Sequence, residues 1–248
     1  MPLRRRAWII GSPGEVANMN FLPGVARDLN SYPQYLLSDE GGAWRPDEII
    51  VCQCPSVATL QWQLACDEHI DFSMMVFTGH GYADMNGETF LCVNEQESVP
   101  ILALATNAPR QLVVVDACRT FLDVGIPRRQ IAVGGDFGAE PGPLYRASCR
   151  ALYDQAVAMA DPGLSVVFSS DIGEASTDTR RGGLFSQTLL EVARYWAERS
   201  SDSWSAKNVL DVPRAVQAVK QTLVAVPVPQ SPQLENGWRY RSFPLAVA

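Results

Sequence analysis

Long apolar runs are missing from this sequence: nothing in its 248 residues approaches the ~18 unbroken apolar residues that read as a membrane-spanning helix. The first residues, MPLRRRAWIIGSPGE, put only a few apolar positions between three arginines and Gly11-Ser12-Pro13, too few for a signal-peptide core. Lysine is scarce, with two copies against eighteen arginines, and no basic run extends beyond Arg4-Arg5-Arg6. With 27 acidic against 20 basic residues the net charge is −7, which argues against a protein that coats nucleic acid. The six cysteines lack any framework-like spacing, so reduced thiols and a cytoplasmic setting are expected. Repeats and low-complexity tracts are absent. Histidine occurs only as His69 and His80, so any imidazole chemistry falls to one of two residues.

What remains is the composition of a globular α/β protein, 47% hydrophobic and 19% charged. A chain of this length buries roughly three quarters of its unfolded surface and needs neither disulfide nor metal to hold a core. Short apolar runs alternate with segments of helical spacing. Ala7–Ile10, Glu48–Cys54, Phe72–Thr78, Gln111–Val115 and Leu164–Ser169 read as strands, with Thr89–Val93 as a hairpin arm and Tyr240–Leu245 as a last strand. Pro23–Leu37, Ser56–Cys66, Ile101–Thr106, Tyr145–Ala160, Leu184–Trp196 and Val212–Val224 read as helices, with Ser56 as an N-cap. Continuous apolar strands separated by helices predict one doubly wound α/β domain, its mostly parallel sheet covered by helices on both faces. Gly125–Pro143, rich in Gly and Pro, is a loop between the two halves of the sheet.

Ligands of open parallel sheets bind outside the carboxyl ends of the strands. That rule selects Gly79-His80-Gly81, Asp116-Ala117-Cys118-Arg119 and the stretch from Ser169 to Gly183. A histidine and a cysteine thus reach one rim on different strands. A thiolate is a strong nucleophile, and an adjacent imidazole can activate the thiol and later protonate a leaving amine. The glycines beside His80 admit a substrate backbone, and the Gly81 and Cys118 N–H groups are candidates for an oxyanion hole. A buried strand-end cysteine with no role is the alternative. Cys52-x-Cys54 and Cys66-x2-His69 have metal-like spacing but no second compact pair, so neither a metal nor a cofactor is expected.

Phe77-Thr78-Gly79-His80-Gly81 followed by Val113-Val114-Val115-Asp116-Ala117-Cys118-Arg119 resembles the catalytic pair of the caspase superfamily, which includes caspases, paracaspases, metacaspases and bacterial caspase-like peptidases. Gly24, Asp28 and Leu36 are similar to its first helix. Val166-Val167-Phe168-Ser169-Ser170 with Gly173-Glu174-Ala175, then Gly183-Leu184-Phe185-Ser186, resembles its small-subunit segment, and Ser231-Pro232-Gln233 its tail. The resemblance implies one peptidase domain over 1–248, with 1–121 large-subunit-like, 122–162 a linker and helix, and 163–248 small-subunit-like. It implies a His80/Cys118 dyad. Cys118 lies 38 residues after His80, against the ~50 common in caspases, which implies a trimmed hairpin between them.

Animal caspases bind an acidic P1 residue with arginines and with a Gln two residues before the nucleophile. Here those positions hold Leu22 and Asp116. Paracaspases and metacaspases carry Asp before the Cys, and that pattern implies cleavage after Arg, then Lys. Asp116 and Asp28, with Glu174 or Asp178, would form the pocket, because a buried carboxylate cluster suits a guanidinium. Arg119 would either depress the thiol pKa or pair with an acid structurally. Arg128-Arg129 would be a self-cleavage site, with Arg146 and Arg150 as weaker ones. Protein or peptide substrates, a separate activator and a place in bacterial defence or cell death are what the resemblance implies. A silent caspase-like interaction module and a small-molecule cysteine hydrolase are the alternatives.

Overall fold

The computed structural model describes residues 3–14, 21–66, 69–121, 143–200, 208–226 and 228–248. The first half runs β1 (Arg5–Ser12), α1 (Val25–Leu37), β2 (Ile49–Gln53), α2 (Val57–Cys66) and β3 (Phe72–Gly79). A small antiparallel sheet of β4 (Gly81–Ala83), β5 (Thr89–Cys92) and β6 (Ser98–Pro100) follows, then a 3-10 turn at Ile101–Leu104 and β7 (Arg110–Asp116). The second half holds α3 (Pro143–Met159), β8 (Gly163–Phe168), the hairpin β9 (Asp178–Thr179) and β10 (Gly182–Gly183), and α4 (Leu184–Ser200). It ends with β11 (Val209–Asp211), α5 (Val212–Leu223), β12 (Gln233–Glu235) and β13 (Pro244–Val247).

The main sheet has the order β12-β8-β7-β3-β1-β2 and is parallel except for β12, which runs antiparallel to β8. Alternation within each strand assigns its side chains to opposite faces. Ala7, Ile9, Phe72, Met74, Val76, Leu112 and Val114 point into one core layer, and Trp8, Ile10, Met75, Phe77, Val113 and Val115 into the other. The first layer packs on α1, α3, α4 and α5 through residues such as Tyr32, Tyr153, Phe185 and Val216. The second is covered by Leu60 and Leu64 of α2 and by the small sheet, with Leu91 and Val99. Both faces are covered, but unequally. The four longer helices lie on one side, and α2 with the short β4–β6 sheet lies on the other.

Local signals explain the element boundaries. Ser56 Oγ accepts the Thr59 N–H at 3.1 Å, and Asp211 accepts the Arg214 N–H at 3.0 Å, each capping a helix start. The expected last strand, Tyr240–Leu245, is a correction: the strand is Pro244–Val247, and it pairs with β11 outside the main sheet. The sheet edge belongs instead to Gln233–Glu235, too short and polar a run to show strand periodicity. Arg128-Arg129 and most of Gly125–Pro143 lie outside the described residues. Arg146 and Arg150 stand on helix α3, where Arg146 bonds the Leu37 and Trp44 carbonyls and Arg150 the Glu48 carboxylate.

Candidate active site

The parallel register aligns Thr78 of β3 with Asp116 of β7. His80 and Cys118 each lie two residues beyond that pair, at the carboxyl ends of neighbouring central strands. Cys118 is buried, with its thiol 3.8 Å from the Ser176 carbonyl oxygen, to which it donates. His80 is half-buried, and its carbonyl accepts the Cys92 N–H at 3.0 Å. In that register the ladder bonds flank the Gly81–Leu91 pair, which turns the Gly81 N–H away from β5. Glycine is required there: a Cβ would stand 2.9 Å from the Ala117 Cβ and 3.0 Å from the Cys118 oxygen.

Three buried carboxylates gather near this strand end: Asp28 from the first turn of α1, Asp116 from the end of β7 and Asp178 from β9. Helix starts and hydroxyls supply donors to all three. Asp116 Oδ2 accepts the Ser186 N–H at 3.0 Å and the Ser186 hydroxyl at 2.7 Å, and Oδ1 accepts the Ser176 hydroxyl. Asp28 Oδ2 accepts the Thr78 hydroxyl at 2.7 Å and the Gly183 N–H at 3.0 Å. Asp178 Oδ2 accepts the Gly24 N–H at 3.2 Å. Gly24 opens α1 and Ser186 lies in the first turn of α4, so two helix dipoles point positive ends at the cluster. The backbone closes tightly over the acids. A Cβ on Gly24, Gly182 or Gly183 would collide with the carboxylate of Asp178, Asp28 or Asp116 respectively. Burial first, then the charge of Asp116, pushes the Asp28 carboxyl well above the usual carboxylate range, so Asp28 keeps its proton to higher pH.

The two serines are themselves backed by buried donors. Tyr32, fully buried on α1, donates to Ser186 Oγ at 3.1 Å, and Gln230 Nε2 donates to Ser176 Oγ at 3.4 Å. Gln230 Oε1 also accepts the Thr177 N–H at 3.0 Å. Sequence reasoning missed Thr78, Ser176, Ser186, Tyr32 and Gln230. Each is a common polar or aromatic residue whose role depends on partners far away in the chain; Thr78, Ser176 and Ser186 lie in or next to the segments singled out at the strand ends, but nothing local marks their hydroxyls.

Of the sequence-predicted pocket acids, Asp28, Asp116 and Asp178 come together and Glu174 does not. The Glu174 carboxylate accepts the Ser231 N–H at 2.8 Å and the Ser231 hydroxyl at 3.0 Å, holding two loops together at the rim. Arg119 serves structure rather than the thiol: Nε donates to Thr89 Oγ1 at 2.9 Å, the guanidinium lies 3.8 Å over the Phe168 ring, and Glu235 stands 3.9 Å away. Its backbone N–H and carbonyl bond Glu174 and Gly173, which pins the chain just after Cys118. Leu22 is core, packed in the layer beneath α1. Among the described residues no group of three His, Cys, Asp or Glu side chains is arranged to hold a metal ion, and no helix is long and apolar enough to cross a membrane.

A sheet of this order, with a histidine and a cysteine at adjacent central strand ends, defines a caspase-like α/β protein. The caspase domain model matches residues 56–239, and the chain belongs to that family. Among solved structures, caspase-1 from Spodoptera frugiperda is similar at 16% identity and a TM-score of 0.56, covering 94% of this chain and 86% of the insect one. A protein from Geobacter sulfurreducens is similar at 13% identity and a TM-score of 0.57, with 94% and 92% covered. At such identities the likeness is one of fold. No curated protein matches the chain.

Proposed function

We propose that the protein is a cysteine endopeptidase that cleaves after basic residues, Arg before Lys, with His80 and Cys118 as the catalytic pair. The observation that carries the specificity is the buried cluster of Asp28, Asp116 and Asp178 joined to Cys118 through Ser176. A guanidinium entering it exchanges water for carboxylates already held by fixed donors, and its planar fork can bond two of them at once. Family membership supports the chemistry, since the caspase domain is a cysteine-peptidase fold.

In the proposed cycle His80 takes the Cys118 proton, and the thiolate attacks the carbonyl carbon after the basic residue. The negative oxygen of the tetrahedral intermediate is met by the N–H groups of Gly81 and Cys118. As the C–N bond breaks, the imidazolium returns its proton to the departing amine, leaving a thioester on Cys118. Water, deprotonated by His80, then attacks the thioester carbonyl; the acid product leaves and the thiol is restored. The thiol's bond to the Ser176 carbonyl describes the resting state, from which Sγ must turn before attack.

Fluorogenic peptides differing only at P1 test this reading, with Cys118→Ala as control. Turnover after Arg, less after Lys and little after Asp, all lost in the control, is the expected result. Preference for Asp would overturn the pocket assignment, and full activity in Cys118→Ala or His80→Ala would overturn the dyad. The defence or cell-death role rests on family resemblance, and proteomic comparison of cells carrying the active protein or Cys118→Ala tests it.

A further inference from the structure

Ser176 faces two ways. Its hydroxyl donates to Asp116 Oδ1 in the acid cluster, while its carbonyl oxygen receives the Cys118 thiol. A single residue therefore joins the specificity pocket to the nucleophile. A serine hydroxyl has one proton and can rotate, so something must decide where that proton points. The Asp116 carboxylate accepts it, and Gln230 meets the hydroxyl from the other side. Gln230 comes from the segment before β12, 53 residues further along the chain than Thr177, and is only 6% exposed.

The backbone N–H of Thr177 can only donate, so the end of the Gln230 amide that meets it at 3.0 Å must be oxygen. The NH2 end is thereby directed at Ser176 Oγ, 3.4 Å away. With a lone pair of the hydroxyl taken by that donor, the serine proton is left for Asp116. Tyr32 backs Ser186 in the same manner on the opposite side of Asp116, yet Ser186 lies in helix α4, whose backbone already donates to Asp116. Ser176 has no helix to hold it, being in the loop between β8 and β9. The side chain of Gln230 meets both its hydroxyl and the N–H of the next residue.

We propose that Gln230 is a positioning residue, which fixes Ser176 so that its hydroxyl serves the Asp116 carboxylate and its carbonyl stays aligned with Cys118. The inference rests on the peptidase reading above but makes a claim of its own about how pocket and nucleophile are coupled.

Two near-isosteric variants test it. Gln230→Met removes both hydrogen bonds and is expected to lower kcat/KM on an Arg substrate about ten-fold. Cys118 alkylation by iodoacetamide, followed by mass spectrometry of the peptide that carries Cys118, should quicken about five-fold, because the Ser176 carbonyl no longer holds the thiol. Gln230→Glu keeps an acceptor for the Thr177 N–H but sets a second carboxylate against Ser176, whose one proton cannot serve both. Protonating the introduced carboxyl restores the donor. The activity of this variant relative to the parent should therefore rise as pH falls from ~7.5 to ~5.5, a signature that loss of packing would not produce. A ratio flat with pH, or Met-variant turnover and alkylation equal to the parent's, overturns the proposal. A parent that cleaves no peptide overturns the peptidase reading instead, and the alkylation rates of both variants still judge Gln230. Should the Met variant not fold, the Glu variant, with the Thr177 bond intact, decides alone.

Discussion

Replacing Asp116 by Asn removes one negative charge from the acid cluster at constant shape. The side chain accepts from a backbone N–H and a hydroxyl of Ser186 on one oxygen and from Ser176 on the other. A backbone donor cannot reverse, so the amide oxygen of the variant must face Ser186 and its NH2 must face Ser176. The Ser176 hydroxyl then meets donors from both sides, Gln230 being the other, and its own proton loses a carboxylate acceptor. One charged hydrogen bond is lost, about 1.5–3 kcal/mol, or roughly 3–12 °C in Tm for a chain of this size. Binding suffers more. Removing one partner of a desolvated ion pair costs ~2–5 kcal/mol, so kcat/KM on Arg substrates should fall about 30-fold or more. The charge of Asp116 is also one cause of the raised Asp28 carboxyl. In the variant Asp28 should ionise at lower pH, so the remaining Arg turnover should show an acid limb shifted downward. The assay is the P1 peptide series across pH, alongside thermal unfolding. Arg turnover at the parent level in a folded Asp116→Asn protein would refute the pocket, and equal loss on basic and uncharged P1 residues would show that Asp116 supports the nucleophile instead.

Gly183→Ala puts a methyl group against the Asp116 carboxylate, and Gly183 N–H is a donor to Asp28, so the hairpin must shift. A loss of ~1–3 kcal/mol in stability, seen by denaturant unfolding, is expected together with a raised KM for Arg peptides; an unchanged KM would count against the hairpin roofing the pocket. Asp28→Asn addresses stability. Because burial and Asp116 raise the folded carboxyl's pKa, its contribution is complete below the unfolded value of ~3.9 and is lost as pH rises through the folded value. The parent's Tm relative to Asp28→Asn should therefore fall as pH rises, and a difference constant with pH would show that Asp28 ionises normally.

The sheet was legible because buried parallel strands are short, continuous apolar runs and helices carry their own periodicity, as in Phe72–Gly79 and Val212–Leu223. Gln233–Glu235 was not, since a three-residue polar edge strand has no pattern of its own and exists only by pairing with β8. The same distinction runs through the site. His80, Cys118 and Asp116 stand out locally, as polar residues placed immediately after apolar strands, and strand ends converge in any parallel sheet. Asp28 and Asp178 needed the family pattern to be noticed, and their burial could not be read from residues whose type is mostly exposed.

By itself the sequence determined the parallel strands and the long helices, that one rim receives an imidazole and a thiol, and that an acid, Asp116, stands two residues before the thiol. Those are properties of local order: periodicity, caps and residues adjoining strand ends. Tertiary structure alone decided that Asp178 and not Glu174 joins Asp28 and Asp116, that Arg119 turns to Phe168 and Thr89, and that Ser176, Ser186, Tyr32 and Gln230 hold the acids in place. Each of these depends on donors brought together from positions dozens to more than a hundred residues apart, such as Gly24 with Asp178. A hydrogen bond satisfies a buried charge only at contact distance and in the right direction, and neither is written in the spacing of residues along the chain.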